Sequence, residues 1–302
     1  MRYGLMLRED GFALDDGTVG RLAPERFITT TTTAHAERVM EHLHFCHQVL
    51  WPELDVTIVT VTEEWAQIAV AGPRSRDVLG ELVDRGDISN AALPYMALAE
   101  IGIVGVAGRL FRVSFSGELA YEVAVPAAYG DALMRVLMDA GAEFGIAPYG
   151  TEALNVLRIE KGHVSGPEID GRTTARDLGL GKLVSTKKDC IGRVMSERPA
   201  LVAADRPILV GLKALDPAHT LSAGAHLIAP GSPAVADHDE GIVTSVAHSP
   251  MLGYDIGLGF LKRGHQRIGA RIRAVDLLHD RDVACEVVDA VFIDPKGERL
   301  RG

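Results

Sequence analysis

Three places in this 302-residue chain put ionisable groups where a fold has reason to resist them. Asp15 and Asp16 stand side by side in Leu14-Asp15-Asp16-Gly17-Thr18-Val19, at the start of a strand-like stretch. Aspartate is disfavoured in strands and costly to bury without partners. Under strand alternation one of the pair faces inward and the other outward. In a turn, both would serve local hydrogen bonds. The local sequence leaves both readings open. Glu160 lies in the last turn of a helix-like stretch, Leu157-Arg158-Ile159-Glu160. A carboxylate there opposes the helix dipole, at a cost of about 0.3–1 kcal/mol if exposed. A mildly destabilising position invites the suspicion of use, although Lys161 is placed to screen the charge. Lys187-Lys188-Asp189 is a small basic spot that reads as a solvated loop. The chemistry available to such groups is acid–base work by the carboxylates and point-charge attraction by the lysines.

Other motifs fail on inspection. Gly179-Leu180-Gly181-Lys182 has Arg176 where a Walker loop needs glycine, and Leu183 where it needs Ser or Thr. No G-x-G-x-x-G follows a strand-like run, so no dinucleotide site is expected within the chain. No G-x-S-x-G elbow occurs either. His35, His42, His44 and His47 cluster in sequence, but His42 and His44 would point about 160° apart on a helix. They read as a solvated helix face rather than a metal site. Cys46, Cys190 and Cys285 lie far apart, with no C-x-x-C, which predicts a reducing, cytoplasmic compartment.

The chain is 47% hydrophobic and 24% charged, an ordinary globular balance with enough length for about two domains. Its net charge of −10, without any basic block, predicts no nucleic-acid partner. No apolar run reaches the ~18–20 residues of a membrane span. The first residues contain no long apolar stretch of the signal-peptide type.

The elements that must position these groups read as short alternating runs. Residues 1–8 are expected as a strand, a turn at Glu9-Asp10-Gly11, and a second strand over 16–22. Helical periodicity covers 34–50, with Val39, Met40, Leu43, Cys46 and Leu50 on one face and a stop at Trp51-Pro52. Strands are expected over 56–62 and 65–71, and a helix over 74–83. An antiparallel meander over 101–107, 109–116 and 121–125 is expected to turn at Gly108 and at Gly117-Glu118. Helices follow over 127–140 and 151–161, the second capped by Thr151 and stopped by Gly162. After a shift in composition near 197–207 come six short strands separated by turn residues: 208–212, 225–228, 241–247, 256–260, 271–275 and 284–288. That spacing predicts a small all-β barrel or sandwich. The fold class expected is α+β, antiparallel sheets with flanking helices over 1–205 and a β-barrel domain over 206–302.

Taken in order, several segments resemble the folate-dependent aminomethyltransferase family, the glycine-cleavage T-proteins. They are Tyr3 to Asp16, Val70-Ala-Gly-Pro73, Ser114-Phe-Ser-Gly-Glu118 with Tyr121-Glu122, Leu157-Arg-Ile-Glu160, Gly166-Pro-Glu-Ile-Asp170, Lys188-Asp-Cys-Ile-Gly192, and Gly241-Ile-Val-Thr-Ser245 with Ser249-Pro250. Within that family the chain is most similar to the carboxy-terminal halves of the α subunits of heterotetrameric sarcosine oxidases. Glu168-Ile-Asp-Gly-Arg-Thr-Thr174 and the ending Asp294-Pro-Lys-Gly-Glu-Arg-Leu-Arg-Gly302 carry that likeness.

The resemblance implies tetrahydrofolate binding and one-carbon transfer. Asp16 falls at the family's catalytic aspartate, where a fixed carboxylate favours an iminium cation and takes an amine proton. Glu160 falls where a glutamate holds the pterin's amino-pyrimidine edge with two parallel hydrogen bonds. Tyr3 and Phe115 fall at aromatic positions suited to packing on the pterin, with Phe115 in place of the usual tyrosine. Tyr121 belongs to the same folate-binding set. Lys188 stands where the family often has arginine, suited to meet the folate's glutamate tail as a point charge. The implied partners are a flavin-bearing subunit of a hetero-oligomer and the small molecules folate and iminium. An NAD site is implied only in a region upstream of this sequence. The family continues upstream of the Tyr3 position, so the chain is expected to be the later part of a longer polypeptide, or a gene model started late, with its first sheet left incomplete. Two other functions stay open: a free-standing aminomethyltransferase acting on a lipoyl-carried group, and a folate-binding assembly protein without transfer activity. Against the latter stands Lys187-Lys-Asp-Cys-Ile-Gly-Arg193, which departs from the segment such relatives carry.

Overall fold

The computed structural model describes residues 1–302. They form two compact units: one of Met1–Gly4, Asp15–Tyr149 and Gly297–Gly302, the other of Leu5–Leu14 and Gly150–Lys296. A three-stranded sheet has the order β1 (Arg2–Leu7), β2 (Ala13–Ala23), β3 (Arg26–Thr29). Asp15 and Asp16 lie within β2, so the strand reading holds and the turn reading does not. The strand also begins earlier than 16. β3 was not expected; it pairs antiparallel with β2 across the tight connection after Ala23.

In the first unit a five-stranded antiparallel sheet runs in the order β4 (Trp65–Ala71), β8 (Ala120–Pro126), β7 (Val106–Phe111), β6 (Leu98–Ile103), β5 (Val83–Arg85). The helices are α1 (Ala36–Phe45), α2 (Ser75–Gly80) and α3 (Gly130–Gly141). Leu133 and Leu137, one turn apart on α3, join Leu79, Ile101, Leu110 and Val123 in the core. The meander is present, but it reverses at Val104 and Gly105, both left-handed, and Gly108 sits inside β7 opposite Ile101.

One further expectation fails in this unit. Residues 56–62 form no strand: Val56 and Val59 are exposed, no strand pairs with the segment, and a tight turn begins at Thr62. β-branched residues favour a half-buried pleated surface, not extended chain as such. The helical run expected over 34–50 forms and stops at Trp51, with regular α-helix only in its middle. A tight turn (Thr33–His35) precedes α1, and a widened turn (Cys46–Leu50) follows it. Val39 and Cys46 are buried, whereas Leu50 faces out.

In the second unit α4 (Thr151–Lys161) ends at left-handed Gly162 as expected, but its N-cap is Gly150, and Thr151 makes no capping hydrogen bond. All six expected late strands form, and they close an antiparallel barrel: β10 (His226–Ile228), β11 (Asp239–Ser249), β12 (Tyr254–Lys262), β9 (Pro207–Ala214), β14 (Arg281–Val288), β13 (Arg271–Asp276). Closure removes the sheet edges. Val210, Leu227, Val243, Leu261 and Val287 fill the interior. β12 is buried on both faces. Ile256, Leu258 and Phe260 point away from the barrel interior, into a second apolar cluster with Ile159 of α4. That cluster seats the end of α4, and therefore Glu160, against the barrel wall.

Candidate functional site

In the first unit the alternation of β2 separates the aspartate pair. Asp15 is wholly buried. Its Oδ2 accepts the Thr32 amide at 3.0 Å, and its Oδ1 lies 3.0 Å from His35 Nδ1. His35 is therefore not part of a solvated helix face; it is turned onto a buried carboxylate just before α1. The neighbouring chain presses close here. A Cβ on Gly17 would lie 2.0 Å from the Thr30 carbonyl oxygen, so only glycine fits. Asp16, half-buried, points the other way, and the Tyr3 hydroxyl donates to its Oδ2 at 2.7 Å.

Burial pushes the Asp16 carboxyl above its ordinary range, and Asp15 pushes it further; the Tyr3 hydrogen bond and His35 pull the other way. Burial likewise raises the Tyr3 phenol, as do Asp16 and Asp15. Tyr3 is thus held as a donor, and Asp16 as a carboxylate more readily protonated than a surface one.

Phe115 lies on the loop between β7 and β8 with its ring 40% exposed. Tyr121 of β8 is wholly buried in the core, and its hydroxyl accepts a hydrogen bond from Arg76 Nε at 2.7 Å. Glu122, next along β8, takes a hydrogen bond from the Gln67 side chain and is pushed up by burial.

In the second unit Glu160 is 6% exposed, and Ser249 Oγ donates to its Oε1 at 2.5 Å. Its backbone carbonyl takes the amides of Phe292 and Ile293, at 3.0 and 2.9 Å. Lys161 does not screen it. The ammonium instead pairs with Asp294, 3.1 Å from Oδ2, and donates to that residue's carbonyl. Two residues earlier, Arg158 meets buried Glu168 at 2.9 Å and Ser245 Oγ at 2.6 Å, while Ser245 and Thr244 both donate to Glu168 Oε1. Lys188 is exposed on a loop.

Of the six residues marked in the sequence, Tyr3 and Asp16 are in direct contact. Tyr3, Asp16, Phe115 and Tyr121 belong to the first unit, Glu160 and Lys188 to the second. Three features escaped the sequence reading: the Asp15–His35–Thr32 cluster, the Ser249 contact to Glu160, and the Arg158–Glu168 network. Strand alternation of Asp15 with Asp16 was the one signal for the first. The other two join residues about 90 and 10 apart in the chain, and no local pattern marks them. No group of His, Cys, Asp and Glu side chains gathers into a metal cluster, and no helix is long and apolar enough to cross a membrane.

Known proteins give this geometry its context. Residues 1–188 match the GCVT N-terminal domain, and residues 208–294 match the glycine cleavage T-protein C-terminal barrel domain. A sarcosine oxidase subunit alpha of Rhizobium meliloti is 51% identical over 99% of this chain; the chain spans 30% of that protein's length. An aminomethyltransferase of Streptomyces avermitilis is 31% identical over 91% of the chain, which covers 72% of that enzyme. The glycine cleavage system aminomethyltransferase T of Bartonella henselae has the same fold, with a TM-score of 0.81 over 97% of this chain and 76% of that one, at 23% identity. With both domains matched in order and a relative covered over most of its length, the chain belongs to the glycine-cleavage T-protein (aminomethyltransferase) family.

Proposed function

We propose that this chain is the tetrahydrofolate-binding, one-carbon-transfer module of a sarcosine oxidase α subunit. A flavin on a partner subunit would oxidise sarcosine to an iminium, and tetrahydrofolate held here would capture it as 5,10-methylenetetrahydrofolate. The observation that carries the reading is Asp16: a half-buried carboxylate with a raised proton affinity, held by a tyrosine hydroxyl at 2.7 Å. Capture forms two bonds from the iminium carbon to folate nitrogens and breaks both components of its C=N bond; the two N–H protons the folate gives up pass to the nitrogen that leaves as the ammonium of glycine, so none is released overall. Asp16 is the base that takes a folate N–H proton on its way to that nitrogen, and the anion that favours the cation. Tyr3 orients the carboxylate through its hydroxyl while its ring, 38% exposed, offers a face to the pterin.

Glu160 would hold the pterin's amino-pyrimidine edge, with Ser249 fixing its carboxylate plane. Phe115 would stack, and Lys188 would meet the glutamate tail. Tyr121 would belong to the folate-binding set from within β8, where its ring is buried. Residues 1–205 would form the folate-binding region and 206–302 the barrel domain, in a cytoplasmic hetero-oligomer.

The high identity to a sarcosine oxidase subunit favours this reading. A free-standing aminomethyltransferase is the second, favoured by the 31% identity to such an enzyme over 91% of the chain. The first test is calorimetric titration of an oxidation-resistant reduced folate into the chain, after a cooperative melt. Saturable binding that is lost in Glu160→Ala is expected; a folded chain that binds nothing refutes a complete site within these residues. The second test adds the flavin partner. In Asp16→Ala, sarcosine oxidation should persist and release formaldehyde while the folate product falls; an unchanged folate product refutes the Asp16 role.

A further inference from the structure

Asp15 is buried one residue from Asp16, and the side chain set against it is the His35 imidazole, its Nδ1 3.0 Å from Oδ1. A carboxylate buried without a cation is strongly unfavourable, and one beside a second carboxylate makes ionisation of both harder. We propose that the Asp15–His35 couple is a positioning element for Asp16: the imidazolium offsets the Asp15 charge and keeps the Asp16 carboxylate ionised, ready to take a proton. The inference rests on the reading of Asp16 as the carboxylate that promotes capture.

Three observations carry it. Asp15 is 0% exposed, so solvent does not reach the carboxylate that neighbours Asp16 along β2. Its two oxygens are committed, Oδ1 to His35 Nδ1 and Oδ2 to the Thr32 amide, which pins the 30–32 segment against β2. Tyr3 from β1 is the side chain in contact with Asp16, while Asp15 on β2 itself and His35 from the turn before α1 reach it through their charge alone. Among these, His35 is the one group able to carry a positive charge. A single imidazole thus decides whether the aspartate pair stands with its full charge or with part of it cancelled. Neither Asp15 nor His35 is required to touch folate; both act through Asp16.

A direct readout is the carboxyl-carbon NMR titration of aspartate-labelled chain, with the Asp16 signal identified by its loss in Asp16→Asn. In His35→Gln, which keeps a hydrogen-bond donor and loses the charge, the Asp16 midpoint should rise by about one pH unit. In Asp15→Asn it should fall. Should His35→Gln unfold because Asp15 is left without a cation, Asp15→Asn and the double variant Asp15→Asn/His35→Gln supply the same comparison, since both are free of the buried charge. The midpoint should then rise from the single to the double variant. Midpoints that do not move in any of these variants overturn the couple and leave the folate reading standing. If the midpoints move but Asp16→Asn captures the one-carbon unit undiminished in the reconstituted holoenzyme, the reading of Asp16 falls, and the purpose of the couple with it.

Discussion

Each unit contains a buried or half-buried carboxylate whose side-chain hydrogen bond comes from a neutral hydroxyl, beside an ionisable group tied to partners of its own. In the first unit Asp16 faces Tyr3, while Asp15 next to it is held by His35 and a backbone amide. In the second, Glu160 faces Ser249, while Lys161 and Arg158 on the same helix are tied to Asp294 and Glu168. A buried charge with an ionic partner is spent on the fold. One answered by a single hydroxyl retains hydrogen-bonding capacity and unbalanced charge, at a cost in stability that a ligand is suited to recover. The difference separates the residues that build these regions from those available for chemistry.

The sharpest way to break the comparison is at Glu168. Glu168→Gln leaves Arg158 buried without an anion, and a loss of about 3–5 kcal/mol of stability is expected in urea unfolding. A loss under about 1 kcal/mol would mean that the network is not structural. Glu160→Ala is expected to behave oppositely, weakening reduced-folate binding by about 1.5 kcal/mol or more with a smaller effect on the melt. If stability falls as far as in Glu168→Gln, Glu160 belongs with the paired charges.

Asp16 sharpens the contrast through pH. Its folded carboxyl titrates above the unfolded one, so its contribution to stability is fully present below the unfolded value and is lost as pH rises through the folded one. Asp16→Asn should therefore raise the melting temperature modestly at neutral pH, with the gain vanishing below about pH 4. A gain equal at pH 3 and pH 7 would show that ionisation is not its source. The smallest effect is expected at exposed Lys188, where Lys188→Ala should weaken folate binding by at most about 1 kcal/mol, and less at high salt. A salt-independent loss would mean that the residue acts by shape and not by charge.

Much of the architecture was legible because it rests on local signals. Turn residues at regular intervals marked all six barrel strands, apolar periodicity marked the helical run over 34–50, and Gly162 marked the end of α4. The failures share a cause. Residues 56–62 have strand composition but no strand beside them, Gly108 resembles a turn glycine yet serves inside β7, and Thr151 yields the cap position to Gly150. In each case the outcome depends on what packs alongside, which local sequence does not encode.

The same division runs through the candidate site. Residue order alone pointed to Asp16, Tyr3, Glu160 and the family, because one-carbon chemistry needs those residue types at recognisable positions in the chain. Only the tertiary structure decided that Asp15 is the buried partner and Asp16 the available one, that His35 leaves its expected helix face to answer Asp15, and that Lys161 turns to Asp294 instead of Glu160. The physical reason is that a charge's partner is chosen by burial and distance, and both are set by segments that meet in space, however far apart they lie along the chain.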